Sequence, residues 1–219
     1  MRLCCFIFFL IVSTSGAEKC WSLARLKYSG GGDWYADPTS LPNLINRIRK
    51  DINANICKEE KIVSLLDAEL YNYPILYMTG HGNVTFSEEE KKILREYLYH
   101  GGLLFADDNY GMDSSFRREV KTLFKNASLF ELSTAHPVFS SLYLFPDGLP
   151  KIHKHDGKKS RMFGINILER TVILYSYESD LGDGWENPDV HNVPPSLREQ
   201  ALQMGVNVIG WYLQGQRSQ

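Results

Sequence analysis

The chain has 219 residues, of which 43% are hydrophobic and 12% aromatic, so it is long enough for one well-buried domain and too short for two generous ones. Its formal net charge is -2, and it has no dense block of Lys or Arg, so it lacks a general electrostatic basis for binding nucleic acid or anionic membranes. We therefore expect a single domain with no nucleic-acid partner.

The first residues have the pattern of a signal peptide. Arg2 precedes an apolar run from Leu3 to Val12, and residues 15–17 (Ser-Gly-Ala) resemble a small-x-small cleavage site. The run is about half of the roughly 20 residues that span a bilayer, which favours cleavage over a retained transmembrane helix. We predict a signal peptide over residues 1–17, one domain over residues 23–214, a periplasmic or extracellular location, and no transmembrane segment after cleavage.

Two cysteines, Cys20 and Cys57, remain after the predicted cleavage. An even pair in an oxidising compartment permits a disulfide, and two free, half-buried thiols are the alternative. Neither cysteine follows a strand at a turn into a helix, where a nucleophile would be needed in a parallel α/β fold.

A predicted first strand, residues 23–29, runs into three glycines followed by Asp33, Trp34 and Tyr35. The order of the glycines matches neither phosphate-binding motif, and Asp33 would repel a phosphate. Two interpretations stay open: a tight turn packed under Trp34, or a polar loop in which Asp33 and Trp34 line a pocket. A helix capped by Ser40 and a second strand over residues 61–66 follow.

The stretch from Tyr73 to Gly111 predicts a complete strand, helix and strand unit. Its strands are apolar runs without alternation, typical of a parallel sheet covered on both faces. Ser87 and Glu90 form a capping-box pattern at the start of the helix, and Gly101 ends it. Ligands of such units lie beyond the carboxyl ends of the strands, here at residues 80–82 (Gly-His-Gly) and 107–109 (Asp-Asp-Asn).

The last third of the chain predicts a helix over residues 114–125, a short strand over 129–132, a hairpin of strands over 162–168 and 171–177, and a closing helix that ends near Leu213. Pro137 fixes His136 on a turn. His153 and His155 have the spacing of a metal pair on a strand, but the neighbouring lysines favour a water-facing loop. The Asp- and Gly-rich residues 179–186 lack EF-hand spacing.

Several of these segments resemble the secreted bacterial domain-of-unknown-function family 4159, from about Ala24 to Leu213. The matching segments are residues 25–35 (RLKYSGGGDWY), 73–82 (YPILYMTGHG), 101–108 (GGLLFADD), 136–139 (HPVF) and 179–186 (SDLGDGWE). The resemblance implies a fold similar to the class I glutamine amidotransferase-like, flavodoxin-like proteins: a three-layer α/β fold with a mostly parallel sheet and helices on both faces. It supplies no reaction.

Amidotransferases of that superfamily need a Cys at the elbow after a central strand, paired with His and Glu, because a thiolate there attacks the amide. The elbow of this chain is Gly80-His81-Gly82, which has no thiol. The sequence therefore argues against amidotransferase chemistry.

Two hypotheses for function remain. The first is a ligand-binding or cell-envelope assembly module that holds a small ligand, a carbohydrate or an envelope protein, with aromatic side chains stacking on a sugar and aspartates accepting hydrogens from its hydroxyl groups. The aromatic set is Trp34, Tyr35, Tyr110 and Trp185; the predicted ligand-binding residues are Asp33, Trp34, His81, Asp107, Asp108, Asp180 and Trp185.

The alternative is a hydrolase of carbohydrate or cell-wall material in which His81, Asp107, Asp108 and His136 converge. A metal would replace the lost thiolate there, or His81 would act as a base. The catalytic candidates are His81, Asp108 and His136, and since no HxxH or HExxH spacing is present, no metal site or cofactor is assigned. The structural interpretation is that Asp107 caps a turn, Asp108 accepts main-chain N–H groups and His81 is a hydrogen-bonded loop residue.

Overall fold

The computed structural model describes residues 20–124 and 128–217. The predicted signal peptide, residues 1–17, lies outside this range. The described residues contain one seven-stranded sheet of order β2-β1-β3-β4-β7-β6-β5. In chain order its strands are β1 (Leu23–Leu26), β2 (Lys61–Val63), β3 (Ile75–Gly80), β4 (Leu103–Asp108), β5 (Phe130–Glu131), β6 (Arg161–Ile167) and β7 (Arg170–Tyr177).

Strands β2, β1, β3, β4 and β7 run parallel, and β6 and β5 extend one edge in antiparallel fashion. All residues of β3 and β4 are buried, as expected of strands that are covered on both faces. The two strands pair in register from Ile75 with Leu103 to Gly80 with Asp108. They therefore end at the same edge of the sheet, and the side chains that follow them meet there.

Helices cover both faces of the sheet. They are α1 (Ser40–Asp51), α2 (Glu88–Tyr99), α3 (Asp113–Leu123), the short α4 (Leu181–Trp185) and α5 (Pro195–Arg217), with 3₁₀ helices at Leu70–Asn72 and Pro137–Phe139. Tyr77 and Phe105 pack with α1 and α5, whereas Leu76 and Leu104 pack with α2 and α3. Alternate residues of β3 and β4 thus face opposite layers of helices. The prediction of an α/β chain with a mostly parallel sheet is confirmed.

Helix α2 begins as its sequence predicts. The Oγ atom of Ser87 accepts the N–H of Glu90 at 3.2 Å, and the Glu90 carboxylate accepts the N–H of Ser87 at 2.7 Å. This reciprocal pair is the capping box.

Helix α1 begins differently from its prediction. Ser40 is its first residue and donates its hydroxyl to the Asp37 carbonyl at 2.7 Å, so the predicted cap by Ser40 is wrong. The Glu186 carboxylate accepts the N–H groups of Thr39 at 2.7 Å and Ser40 at 3.0 Å instead. A cap that comes from so distant a part of the chain leaves no signal near the helix.

Strand ends also differ from the predictions. Strand β2 stops at Val63 rather than at residue 66, because the Asp67 carboxylate accepts the N–H of Ser64 at 2.7 Å and turns the chain. The predicted hairpin is confirmed as β6 and β7. Leu168 and Glu169 both have positive φ, which matches the two-residue turns that join such strands.

A disulfide joins Cys20 to Cys57, which is the first of the two alternatives for these cysteines. In the described part of the chain, no helix has both the length and the apolar character needed to cross a membrane.

Candidate functional site

The site lies at the carboxyl ends of the parallel strands. We use the name rim for the segments that leave β1, β3, β4 and β7 at that end, together with the loop that packs on them (residues 27–39, 81–86, 109–112, 151–156 and 178–191). The loop is held there by the N–H of Ile152, which donates to the Ser179 carbonyl at 2.9 Å, and by Lys151, which pairs with Glu178 at 3.0 Å.

The glycine loop after β1 packs on the elbow after β3. Asp33 accepts the main-chain N–H of His81, and its Oδ2 lies 3.0 Å from the Nδ1 atom of His81. Gly80 has a φ of 138°, and a Cβ atom there would lie 2.4 Å from the Tyr28 hydroxyl. The Asp33 and His81 side chains are 34% and 53% exposed, so this pair faces solvent at the rim.

Asp107 and Asp108, at the end of β4, hold the main chain in place. Asp107 is fully buried and accepts the N–H of Gly182 at 2.7 Å and the hydroxyl of Ser176. Asp108 is 2% exposed and accepts the N–H of Met112 at 2.9 Å. Burial raises the pKa of Asp107 to about 6 and also raises the pKa of Asp108. Both carboxylates therefore serve the turns, as the structural interpretation predicts.

Two predicted site residues do not contribute side chains to the rim. The His136 ring lies 5.4 Å from the Trp211 ring near the end of α5. The next residue of α5, Tyr212, donates to the Gly101 carbonyl, so this part of the helix lies at the amino end of β4, opposite the rim. The expected convergence of His136 with His81 is therefore wrong. Trp185 is fully buried and donates its indole N–H to the Ala201 carbonyl at 2.7 Å, so its ring is not available for stacking on a ligand.

Three side chains form what we call the first triad: His153, His155 and Asp180. One ligand atom from each lies within 4.8 Å of the others. The Nε2 atom of His155 is 2.7 Å from the Asp180 Oδ2, and the His155 ring stacks on Tyr110 at 4.2 Å. The loop of these histidines is therefore not simply water-facing, because both rings turn onto buried aspartates.

Three more side chains form the second triad: Asp37, Asp183 and His191. Their ligand atoms also lie within 4.8 Å of one another. The Nε2 atom of His191 is 3.7 Å from the Asp37 Oδ1 and 3.6 Å from the Asp183 Oδ1. The triads adjoin, because the Oδ2 atom of Asp183 lies 2.8 Å from the Nδ1 atom of His153 in the first triad.

Buried carboxyl groups are concentrated between the triads. Asp180 is 1% exposed and Asp183 is 8% exposed, and the Oδ1 atom of each has no hydrogen-bond partner within residues 20–124 and 128–217. Burial and then the carboxylates of Asp107 and Asp183 raise the pKa of Asp180 to about 9. Burial and then the same two carboxylates, with Asp183 first, raise the pKa of Asp37 to about 8. Unpartnered buried oxygens of this kind fit a bound cation.

Either triad offers imidazole and carboxylate groups, the donors that zinc and other first-row divalent ions accept. Sequence reasoning found Asp180 and considered His153 and His155, but it missed Asp37, Asp183 and His191. The Asp-rich residues 180–183 were the only signal, because the second triad combines a residue of the loop after β1 with one of α4 and one of the loop that follows α4.

Comparison with known proteins identifies a family and no activity. The sequence profile of the family Domain of unknown function (DUF4159) matches residues 22–213, which confirms the resemblance to this family. No curated protein matches the chain.

Proposed function

The chain belongs to the family Domain of unknown function (DUF4159), and we propose that it is an exported, metal-dependent hydrolase whose divalent ion is held by the first triad. The observation that carries this proposal is the buried Oδ1 atom of Asp180, which has no hydrogen-bond partner in the described chain and belongs to a residue that already contacts His155. A cation binds the oxygen and stabilises the ionised form of this buried carboxyl group.

Two histidines and one carboxylate leave further coordination positions open, as catalytic zinc sites do. When bound, the ion would polarise a substrate carbonyl and lower the pKa of water. The side chains around it have separate roles. Asp183 accepts the Nδ1 proton of His153 at 2.8 Å, which fixes the ring and frees its Nε2 atom for the ion. Tyr110 holds the His155 ring by stacking.

We propose carbohydrate or cell-wall material as the substrate class. Tyr35 and Tyr110 are 64% and 44% exposed at the rim, and such rings stack on sugar faces. The solvent-facing pair of Asp33 and His81 supplies polar atoms for hydroxyl groups. In this proposal neither the two tyrosines nor the pair of Asp33 and His81 contacts the ion.

Two further features support the finer parts of the proposal. The parallel strands follow the order β2-β1-β3-β4-β7, the order of flavodoxin-like sheets, which supports kinship with the amidotransferase-like superfamily. The disulfide between Cys20 and Cys57 fits an oxidising compartment and leaves no free thiol for amidotransferase chemistry in the described residues.

Fractionation of cells that express the full chain tests export, and retention of the protein in the cytoplasm contradicts it.

The hydrolase proposal is tested by metal content and hydrolysis together. We expect purified protein to bind Zn²⁺ and to release acetate or sugar from acetylated oligosaccharides or peptidoglycan fragments. His155→Gln and Asp180→Asn should weaken Zn²⁺ binding more than about tenfold and reduce hydrolysis to that of chelated protein. Asparagine tolerates the left-handed backbone of Asp180, so the second variant should fold.

His100→Gln is the matched control, because His100 is exposed and its ring bonds to the Glu96 carbonyl at the end of α2, away from both triads. It should leave Zn²⁺ affinity and hydrolysis unchanged. Unaltered Zn²⁺ affinity in both first-triad variants would refute the proposal.

A non-catalytic binding module is the second candidate, favoured by the commitment of Asp107 and Asp108 to main-chain N–H groups. On this hypothesis the exposed tyrosines and the Asp33 and His81 pair hold a sugar or an envelope protein. Calorimetric titration with peptidoglycan fragments in excess chelator separates the two. Binding that persists without metal, with no product released when metal is present, supports the binding module.

A further inference from the structure

The second triad lies beside the proposed ion but has no part in the function proposed above. Its groups are buried more deeply than a surface cluster of charges would be: Asp37 is 7% exposed and Asp183 is 8% exposed. The Nε2 atom of His191 stands 3.7 Å from Asp37 and 3.6 Å from Asp183, which is too far for a hydrogen bond and leaves space between the three groups.

The Oδ1 atom of Asp183 is the second, independent observation. It is buried, it faces His191, and the described residues offer it no hydrogen-bond partner. Asp37 presents a carboxylate oxygen to the same imidazole, since its Oδ2 accepts the side-chain N–H of Asn109 at 3.0 Å while its Oδ1 faces His191. One oxygen from each carboxylate is thus directed at the same imidazole, and that of Asp183 has no hydrogen-bond partner in the described residues.

Within the described part of the chain, neither Asp37 nor Asp183 is paired with a Lys or an Arg. Arg25 approaches the loop of Asp37, but its guanidinium donates to the main-chain carbonyls of Ala36 at 2.7 Å and Asp37 at 3.1 Å and pairs with Glu60. Glu186 adds a further buried carboxylate, which is committed to the start of α1. A buried pair of carboxylates with no paired cation costs free energy that a metal ion would recover.

Gly182 permits the close approach of α4 to Asp37. A Cβ atom at this position would lie 2.6 Å from the Asp37 Oδ2 and 2.8 Å from the Tyr77 hydroxyl. The absence of a side chain lets α4 bring Asp183 up to Asp37, so the local backbone is built for the contact between the two aspartates.

We infer that Asp37, Asp183 and His191 bind a second divalent cation, next to the ion held by His153, His155 and Asp180, so that the rim is a two-ion site. The inference rests on the proposed function for the first ion. Asp183 links the two positions, because one of its oxygens contacts His153 and the other faces His191. Two carboxylates and one imidazole form a harder donor set than that of the first triad and suit Mn²⁺.

The experiment counts ions on purified full-chain protein that has been stripped with chelator and loaded with Mn²⁺ alone. We expect two equivalents of Mn²⁺ and an electron paramagnetic resonance spectrum that is broadened by the magnetic interaction of neighbouring ions. His191→Gln and Asp37→Asn should each hold one equivalent with the six-line spectrum of an isolated ion. The melting temperature of each metal-free variant shows that it is folded, and His100→Gln should retain two equivalents.

The outcomes separate the two proposals. If wild-type protein holds one ion, which His155→Gln loses and His191→Gln keeps, the two-ion inference is overturned while the proposed function stands. If the single ion is lost in His191→Gln and kept in His155→Gln, both are overturned. Two ions in wild type and in both second-triad variants overturn the assignment of Asp37 and His191, and protein that binds no ion overturns both proposals.

Discussion

Gly182 shows how one missing side chain shapes the rim. Its main-chain N–H donates to Asp107 at 2.7 Å, and its Cα faces the Asp37 carboxylate and the Tyr77 hydroxyl. The glycine therefore joins the buried end of β4 to the second triad. No other residue type fits between these groups without moving one of them.

Gly182→Ala should lower the free energy of unfolding by about 1–3 kcal/mol, because the added methyl group overpacks a closed space. It should also weaken Mn²⁺ binding at the second triad. Urea denaturation of metal-free protein measures the first effect. Gly215→Ala is the control, since nothing lies within 4 Å of the added atom on that turn of α5, and it should not destabilise the protein.

His136 has a structural role that is open to a pH experiment. Its Nδ1 atom accepts the N–H of Val138 at 3.2 Å, and burial lowers its pKa from the usual 6.5. Above the unfolded-state pKa the ring is neutral in both states. As the pH falls below it, the unfolded state takes up the proton first, so this histidine's contribution to stability declines.

We expect the stability difference between wild type and His136→Gln to become less favourable to wild type between pH 7 and pH 5. Urea denaturation at several pH values, in the presence of chelator, measures that difference. Burial lowers the pKa of His153 as well, but His153 is present in both proteins, so its contribution to stability cancels in the difference. A stability difference that stays constant with pH would contradict the structural role that we assign to the neutral His136 ring.

At the scale of elements, the cap of α1 ties the fold to the rim. Glu186 is 1% exposed, and besides the two N–H groups of α1 it accepts the Thr39 hydroxyl at 2.6 Å. The same bonds position the loop that carries Asp37. Helix α1 and the second triad are therefore fixed by one carboxylate that follows α4.

Glu186→Ala should lower the free energy of unfolding by about 2–3 kcal/mol, because it leaves buried donors that had a charged partner. Ser87→Ala is the matched comparison at α2, where loss of an ordinary cap costs about 1 kcal/mol. Denaturant titration of both variants gives the two values. A smaller loss at Glu186 than at Ser87 would show that the cap is replaced by water.

Elements were predictable where their signals are local. The unit from β3 through α2 to β4 is marked by two apolar runs, a capping box and Gly101, and each of these signals lies within a few residues of the structure it specifies. The α1 cap and the triads were not predictable in this way. They join loops that are adjacent only after the parallel strands align, and a single sequence contains no spacing that records this adjacency.

At the scale of the whole molecule, the sheet order decides which loops share the rim. The chain adds β7 next to β4 rather than β5 or β6, and this places residues 178–191 beside Asp107. The length and composition predicted one well-buried domain, and the pattern of residues 73–111 predicted a parallel α/β unit, but the position of β7 depends on long-range packing. The position of β7 also explains why the predicted ligand contact of Trp185 is wrong. Once β7 lies beside β4, the Trp185 ring packs between Tyr77 and Phe105.

The disulfide between Cys20 and Cys57 closes a loop of 37 residues that contains β1, the glycine loop and α1. By the chain-entropy relation, such a loop stabilises the folded state by about 4 kcal/mol, because the unfolded chain loses freedom. The paired change Cys20→Ser and Cys57→Ser should lower the free energy of unfolding by up to that amount. Wild type in reducing agent should approach the same value, and the double variant should not respond to the reductant. A double variant as stable as the oxidised protein would show that the strands and α1 fix this loop by themselves.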